Sequence, residues 1–386
     1  MDTGRRTLRA LRGPHVLDEL GEALDRLHAD TAAPVTARRP WLETWIDCYR
    51  DFEPWAVVLG DDDRLDAAAL LATKRVGRRT EVVGLGHGPS DQTRLAARDE
   101  TAAVELGRAV AEAIGGLPGP WRLRVEQLPV DDPAAVALAS ALPGARLVPG
   151  DGSPTTRFDR GRSFSSYVGH NSRGVAKTMR NRVRRAGWDL EVDHLRDPER
   201  IVAFLPDVER IHRDRDLHLV RRSDLDDRRM AEFWRRIIAK LAHRGELELT
   251  TLRFSGRMAG YVVGVLDGDA YRLWDGRFDP EFAWYSPGRL VDQSALGAAL
   301  LDERFQEFDW MRGEEEYKLR TSTDVVPAHH LLAWSSPLVR ARTEARPAAK
   351  RALRRARDGN RVLTKAWRAY RSRWLRRRRR GVTVRR

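Results

Sequence analysis

The chain has 386 residues, of which 41% are hydrophobic and 8% aromatic, so it is long enough for two domains with separate cores. Its one cysteine, Cys48, excludes an internal disulfide and fits a reducing compartment. No apolar run approaches the ~20 residues of a membrane helix, and the N-terminus shows no hydrophobic signal segment. We therefore expect a cytoplasmic protein, or one bound peripherally to the inner face of a membrane.

The positive charge of the chain is concentrated near its C-terminus. The net charge is +14, but residues 340–386 contain 20 Lys or Arg and only 2 Asp or Glu, a net charge of +18. The remaining 50 basic and 54 acidic residues give residues 1–339 a net charge of −4. The high isoelectric point therefore describes a tail and not the folded body.

This basic tail, residues 339–386, has helical propensity and a narrow apolar stripe. The residues that fall on one face of such a helix are Leu363, Ala366, Trp367, Tyr370 and Trp374. Aromatic residues surrounded by arginines suit a helix that lies on an anionic membrane surface. A solvated extension and a nucleic-acid contact, tRNA included, remain the alternatives.

The first block of predicted elements is a run of strands followed by alternating helices and strands. Residues 54–87 predict a meander of strands separated by turn residues, and residues 101–117 predict an amphipathic helix that ends at two glycines. Residues 121–128 alternate with period two, as in a strand, and residues 137–145 predict a short helix.

The second block repeats this order and adds helices. Its predicted elements are helices over 163–192, 198–215 and 224–245, three antiparallel strands within 246–278, a helix over 286–305, a strand over 307–313 and a last strand over 329–336. The shared order predicts an α/β protein built from two copies of one unit, with mixed sheets flanked by helices. We expect lobes at residues 1–155 and 156–338, followed by the tail.

Two stretches of the second block suggest contacts with anions. The run NSRGVAKTMRNRVRRAG, residues 171–187, places Arg180 and Arg184 on a basic helix, which is either a charged outer face or an anion cradle. In WYSPGRLV, Ser286 is a candidate helix N-cap and Pro287 the first helical residue. A glycine at 288 allows close approach to the backbone, and Arg289 adds charge, so this turn suits a phosphate.

The cluster HRDRDLH, which contains His212 and Asp216, has the residue types of a metal site but not a standard spacing. We therefore expect a solvated helix end there, and no metal.

Two stretches of the second block resemble the motifs of a known family. WDGRFDPEFAWYSPGRLV, residues 274–291, and FDWMRGEEEYKLR, residues 308–320, are similar to the paired motifs of the CelD/BcsL-like acetyltransferases, which belong to the GNAT superfamily and are related to Fem-type peptidoglycan transferases. The basic helix and a His-x-x-Arg that starts at His212 are also similar. The resemblance extends over about residues 160–320.

The resemblance implies tandem GNAT-like folds with acetyl-CoA, or another acyl-CoA, as co-substrate. Two parallel strands, near 270–276 and 307–312, would splay apart around the acyl-pantetheine. The donor pyrophosphate would lie at Ser286, Pro287, Gly288 and Arg289. This turn carries one glycine and departs from the usual GNAT loop, Q/R-x-x-G-x-G/A, which leaves room for another activated donor.

The charged segment GEEEYK would then supply the chemistry. Glu314 would deprotonate the acceptor or hold its ammonium group, Tyr317 would protonate the leaving thiolate, and Lys318 would hold an anionic acceptor. Repulsion within the three glutamates should raise their pKa. The alternative is a solvated, salt-bridged turn. The residues expected to contact the acceptor are Asp275, Asp279, His212, Arg215, Arg180 and Arg184.

The expected function is transfer of an acetyl group to an amine or hydroxyl of a cell-envelope or exopolysaccharide precursor, either a small molecule or a lipid-linked saccharide. Two alternatives remain. One is an aminoacyl-tRNA-dependent transferase of Fem type, and the other is a non-catalytic scaffold in polysaccharide synthesis.

Overall fold

The computed structural model describes residues 6–345, which form two compact units. The N-terminal unit consists of residues 6–152 and 327–345, and the C-terminal unit of residues 153–326. The helix expected in the basic tail falls mostly on residues 346–386, outside the described part of the chain.

The strands of this part are, in chain order, β1 (Leu8–Arg12), β2 (Glu53–Gly60), β3 (Leu65–Val76), β4 (Arg79–Gly84), β5 (Ala96–Ala97), β6 (Trp121–Pro129), β7 (Arg146–Pro149), β8 (Ser153–Arg157), β9 (Leu190–Leu195), β10 (Leu247–Phe254), β11 (Arg257–Asp267), β12 (Ala270–Phe278), β13 (Glu307–Asp309), β14 (Asp324–Val326) and β15 (Ala328–Trp334).

The helices are α1 (Val16–Asp30), α2 (Arg39–Cys48), α3 (Glu100–Gly115), α4 (Pro133–Ala141), α5 (Phe164–Tyr167), α6 (His170–Arg185), α7 (Pro198–His218), α8 (Arg228–His243), α9 (Pro287–Leu301) and α10 (Glu316–Leu319). Three short 3-10 helices lie at Val35–Ala37, Asp224–Asp226 and Pro280–Tyr285.

The sheet of the N-terminal unit has the order β1-β2-β3-β4-β6-β15-β7, with β5 paired to β3. Strands β4 and β6 are parallel and are joined by α3, while the other pairs are antiparallel. Leu106, Val110 and Ile114 recur every fourth residue of α3, so they form one face and pack with Leu123 and Val125 of β6 in the core.

The sheet of the C-terminal unit has the order β14-β8-β13-β12-β11-β10-β9. Its parallel pair, β12 and β13, is joined by α9 in the same way. The rings of Tyr271 and Phe308 stack with centroids 5.0 Å apart and tie these strands together. Gly264 makes room for this pair, because a Cβ at that position would lie 2.1 Å from the Tyr271 hydroxyl.

The mixed α/β architecture expected from the sequence is confirmed, but the expected boundaries of the lobes change. Strand β8 pairs with β13 and β14 and thus begins the C-terminal sheet before residue 156. Strand β15, expected at the end of the C-terminal lobe, pairs instead with β6 and β7 of the N-terminal unit. Pairing between strands about 200 residues apart leaves no periodic signal in the sequence.

Two element predictions also need correction. The helix or helix pair expected over 163–192 is the pair α5 and α6, but it ends at Arg185, and Leu190–Leu195 is strand β9. The helix expected over 198–215 is confirmed as α7, which contains Pro206 and extends to His218. Strand β13 ends at Asp309, four residues earlier than expected. Trp310 still donates its backbone N–H to Pro154 of β8 at 2.9 Å, but Pro154 has no N–H to return, and Met311 leaves the extended conformation with a φ of 57°.

Candidate active site

The two parallel strands of the C-terminal unit form a fork. They pair over three residues only, Ala270–Arg272 with Glu307–Asp309, and Arg272 bonds to Asp309 at 2.6 Å where the strands part. Beyond that point β12 continues to Phe278 and, among the described residues, pairs only with β11. Its outer edge from Leu273 onward thus presents backbone groups that an extended, amide-containing ligand can bind.

A β-bulge re-aims the side chains along this free edge. Val263 lies opposite Asp275 and Gly264 opposite Leu273, so Trp274 is the extra residue. Side chains alternate between the faces of a strand, and one extra residue reverses the alternation. The bulge therefore turns Asp275 onto the face of the sheet that carries Val263 and Tyr261, away from Leu273 and the core under α9.

Asp275 is the centre of a buried polar cluster on this face. Tyr261 donates its hydroxyl to the carboxylate at 2.8 Å, Arg277 Nη1 lies 3.0 Å away, and His212 Nε2 lies 3.9 Å away. Burial opposes ionisation of Asp275, but the charges of Arg277 and His212 and the Tyr261 hydrogen bond outweigh it and lower its pKa. The structure thus brings together Asp275 and His212, two of the predicted acceptor contacts.

His212 is not at a solvated helix end as the sequence analysis expected. Its ring is buried, with Nδ1 2.9 Å from Ser223 Oγ and 3.4 Å from Asp216 Oδ2. His212 and Asp216 are one turn apart on the inner face of α7, so they point into the unit together. Within residues 6–345, no group of three or more His, Cys, Asp or Glu has the geometry to hold a metal ion.

Helix α9 follows β12 after the 3-10 helix Pro280–Tyr285, and its N-terminus is open. Ser286 adopts a left-handed conformation with φ of 49°, and its side chain caps no backbone N–H. The first turn contains no acidic residue, Pro287 lacks an N–H, and Arg289 is half-buried. Unpaired N–H groups and the helix dipole therefore favour an anion here.

Gly288 has a packing role that the sequence analysis did not identify. A Cβ at Gly288 would lie 2.9 Å from the ring of Phe278, so the missing side chain lets the first turn of α9 approach the end of β12. This packing holds the open helix end beside the free edge of the strand.

The corresponding helix of the N-terminal unit is closed to anions. Asp99 caps α3 by accepting the backbone N–H of Ala102 at 2.7 Å, and Glu100 occupies the first turn. Asp99 also pairs with Arg6 at 3.1 Å. Negative side chains therefore occupy the position that an anionic ligand needs at α3. Of the two equivalent helices, only α9 has an N-terminus that an anion can reach.

The segment after β13 folds into a turn held by Lys318. Met311 adopts a left-handed conformation and donates its N–H to Asp309 Oδ1 at 2.8 Å. Lys318 is buried, and its ammonium donates to the carbonyl of Arg312 at 2.8 Å and lies 3.1 Å from Glu315 Oε2. Lys318 thus shapes the turn, and its predicted contact with an acceptor remains a prediction.

The expected rise in the glutamate pKa is wrong for Glu315. Burial opposes ionisation, but the hydrogen bond and charge of Lys318 outweigh it and lower the pKa of Glu315. Glu316 bonds to Arg320 at 2.5 Å. Glu314 is exposed, and no residue of the described chain forms a hydrogen bond or ion pair with it.

Tyr317 extends from this turn toward the fork. Its ring lies edge-on to Trp310, with centroids 6.3 Å apart. Burial and then the negative charges of Asp292 and Glu315 raise the pKa of Tyr317, while Arg277 opposes the rise. The phenol therefore keeps its proton at neutral pH, and it is a weaker acid than a free tyrosine.

Asp292 is a candidate site residue that the sequence analysis missed. It lies in the second turn of α9, half-buried, and interacts electrostatically with Tyr317 and Lys318. Burial, partly countered by Lys318, raises the pKa of Asp292 to about 7. Its spacing of four residues from Gly288 is the signal that could have identified it, because residues four apart share a helix face.

The remaining predicted contacts are spread more widely. Asp279 is buried and already bonded, since it accepts from Arg210 at 2.8 Å and from the N–H of Glu281 at 3.0 Å. Arg180 and Arg184 are exposed on α6. Arg215 stacks on Phe278, so it belongs to the neighbourhood of the fork.

Comparison with known proteins identifies the domain that contains this fork. Residues 170–319 match the family model described as an acetyltransferase (GNAT) domain. No functionally curated protein matches the chain.

Solved structures similar to the chain include FemX, with a TM-score of 0.57 and 10% identity over 82% of this chain and 97% of that chain. A second is the C-terminal DUF2156 domain of a protein from Agrobacterium fabrum assigned as a lysylphosphatidylglycerol synthetase, with a TM-score of 0.50 and 11% identity over 84% and 95%. A third is a tandem GNAT protein from the clavulanic acid pathway, with a TM-score of 0.47 and 14% identity over 86% and 99%.

These findings confirm the expected fold class and show a GNAT acyltransferase domain. They do not single out the CelD/BcsL-like family, so that narrower resemblance stays a prediction.

Proposed function

Given this GNAT acyltransferase domain, we propose that the C-terminal unit transfers an acyl group from an acyl-CoA, with acetyl-CoA the simplest donor, to an amine or hydroxyl of an acceptor. The observation that carries the proposal is the fork: β12 and β13 part after three paired residues, beside the open N-terminus of α9. An acyl-pantetheine chain is extended and contains amides, so it can pair with the free edge of β12 while the pyrophosphate binds at α9.

The reaction needs a base for the acceptor and an acid for the thiolate. The acceptor nitrogen or oxygen attacks the thioester carbonyl, the new bond forms, and the C–S bond breaks. Asp292 takes the acceptor proton in this proposal, because its pKa of about 7 keeps it in part unprotonated at neutral pH. Tyr317 gives its proton to the leaving thiolate, and Asp275 is placed to orient the acceptor.

Asp292 replaces the base expected from the sequence. Glu314 is exposed to solvent, and no residue of the described chain holds it in place. A base works best when its pKa lies near the working pH. Asp292 meets that condition.

Binding of acetyl-CoA tests the proposal directly. Ser286→Asp adds a negative side chain at the open end of α9, and Asp tolerates the left-handed conformation of this position better than most residues. We expect calorimetric titration to show acetyl-CoA and desulfo-CoA binding to the wild type, and at least about tenfold weaker binding to the variant.

The matched control is Ser140→Asp, which makes the same change on an exposed position of the N-terminal unit and should leave the dissociation constant unchanged. Wild-type protein that binds no acyl-CoA would refute the proposal, and failure to bind an aminoacyl-tRNA mimic as well would favour the scaffold alternative.

Aminoacyl transfer is the second candidate function. Two observations favour it: the α9 turn has a single glycine, and one similar structure belongs to a protein assigned as a lysylphosphatidylglycerol synthetase. An aminoacyl-tRNA mimic in the same titration distinguishes the two functions. If the protein is an aminoacyl transferase, the mimic should bind and acetyl-CoA should not.

We propose a cell-envelope or exopolysaccharide precursor as the acceptor, on the strength of the sequence resemblance. Within the described residues no helix is long and apolar enough to cross a bilayer. Peripheral binding to an anionic membrane through residues 340–386 is part of the same proposal, and a vesicle co-sedimentation assay with and without that segment tests it.

A further inference from the structure

Arg215, on α7, carries a positive charge that the unit does not neutralise. Within the described residues no carboxylate lies at ion-pair distance from Arg215, and its guanidinium carbon lies 4.0 Å from the centroid of the Phe278 ring. The side chain is half-buried. Stacking on an aromatic ring fixes the guanidinium plane and leaves its N–H groups free at the edge.

The neighbouring charges are paired with each other and not with Arg215. Asp216 pairs with Arg221 at 2.5 Å, and Asp275 pairs with Arg277 at 3.0 Å. Burial, followed by the positive charges of Arg221 and Arg277, lowers the pKa of Arg215. Asp216 partly opposes this fall, but it pairs with Arg221, and Asp275 and Glu315 pair with Arg277 and Lys318, so Arg215 forms no ion pair within the described residues.

This arrangement is unfavourable for the folded protein by itself. A partly buried cation beside two like charges costs free energy unless a counter-ion is present. Arg210, at an earlier turn of α7, shows the ordinary solution, because it pairs with Asp279 at 2.8 Å. Arg277 adds a second unused donor, since its Nε is buried and has no hydrogen-bond partner in the described chain.

The position of these groups points to a ligand. Phe278, on which Arg215 stacks, also contacts Gly288 in the first turn of α9. Arg277 acts electrostatically on Tyr317, the proposed acid. Arg215 therefore lies beside the residue that packs on the first turn of α9, and Arg277 lies within electrostatic range of the proposed acid.

We propose that Arg215 and Arg277, with Arg221 beside them, bind a phosphate or carboxylate group of a substrate at the end of β12. The proposal rests on the fork being the acyl-transfer site and adds the chemical class of what enters it. Arginine binds both groups in bidentate fashion. The anion belongs either to the pyrophosphate of the donor or to an acidic acceptor.

Calorimetric titration of the whole chain with inorganic pyrophosphate and, separately, with CoA tests the proposal. We expect Arg215→Gln to weaken pyrophosphate binding at least about tenfold. Arg215→Lys should weaken it less, because lysine keeps the charge but cannot form the bidentate hydrogen bonds of a guanidinium group. Arg222→Gln is the matched control, since Arg222 is exposed on the following loop. Thermal melting of each variant confirms that it is folded.

The two ligands separate the two sources of the anion. An equal loss of CoA affinity in Arg215→Gln assigns the site to the donor, whereas unchanged CoA affinity with weaker pyrophosphate binding assigns it to an anionic acceptor. Wild type that binds no pyrophosphate, or an Arg215→Gln protein that binds both ligands like the wild type, overturns the proposal. Binding of pyrophosphate through Arg215 without any binding of CoA would instead reject the proposed acyl-CoA donor.

Discussion

At the scale of single residues, the candidate site depends on how the surroundings distribute protons and charges. Lys318 lowers the pKa of Glu315, whereas burial raises that of Asp292 to about 7. Tyr317 keeps its proton because burial and nearby carboxylates disfavour the phenolate. The proposed base, Asp292, thus lies on α9, and the proposed acid, Tyr317, lies in the segment that follows β13.

Asp292→Asn should abolish the base while keeping the shape of the side chain. We expect kcat/KM to fall by about 10²- to 10⁴-fold. In the wild type kcat/KM should rise with pH through about 7, as Asp292 loses its proton. Glu314→Gln is the matched control and should change the rate little; the assignment fails if Glu314→Gln is the more damaging of the two.

The same substitution has a consequence for stability that needs no substrate. The pKa of Asp292 is raised on folding, from 3.8 to about 7, so the folded state binds the proton more tightly. Stability from this group is therefore present at low pH and is lost as pH rises from about 4 to 7. Asp292→Asn should raise the melting temperature, relative to wild type, at pH 8 more than at pH 5. An equal change in melting temperature at both pH values would show that folding does not raise the pKa of Asp292.

At the scale of secondary structure elements, the site is made by the end of one strand and the start of one helix. The bulge at Trp274 decides which face carries Asp275 and Arg277. The contact between Gly288 and Phe278 then decides how closely α9 approaches that strand. Both features are local, and both set positions that the reaction requires.

Gly288→Ala should therefore destabilise the C-terminal unit, because the new Cβ would lie 2.9 Å from Phe278. Overpacking of this kind costs about 1 to 3 kcal/mol, which urea denaturation can measure. Phe278→Val in the same chain should recover part of the loss, since valine ends at Cγ and lacks the Cδ1 that the new Cβ would meet. Additive effects of the two changes would mean that the contact is not the cause.

At the scale of the whole molecule, two units of similar architecture differ in what their crossover helices can bind. Asp99 caps α3 and pairs with Arg6, whereas α9 has no side-chain cap. The N-terminal unit therefore keeps the fold without an anion site at this helix.

We accordingly expect one CoA molecule per chain in a calorimetric titration. Asp99→Asn, which removes the negative charge from the cap of α3 but keeps a capping side chain, should leave the stoichiometry at one. A stoichiometry of two in the wild type would show that the N-terminal unit also binds the donor.

The fork was expected only from the resemblance to a known family, whereas the sequence by itself determined the α/β class, the repeated order of elements and the place of the α9 turn. Each of these follows from a local signal: a hydrophobic period, a turn residue or a short motif. Tertiary structure alone decided that β15 completes the N-terminal sheet, that His212 is buried, that Lys318 is held within its own turn and that Asp292 acquires its pKa. These properties arise from burial and from pairing between residues far apart in the chain, and neither leaves a pattern that can be found in the sequence.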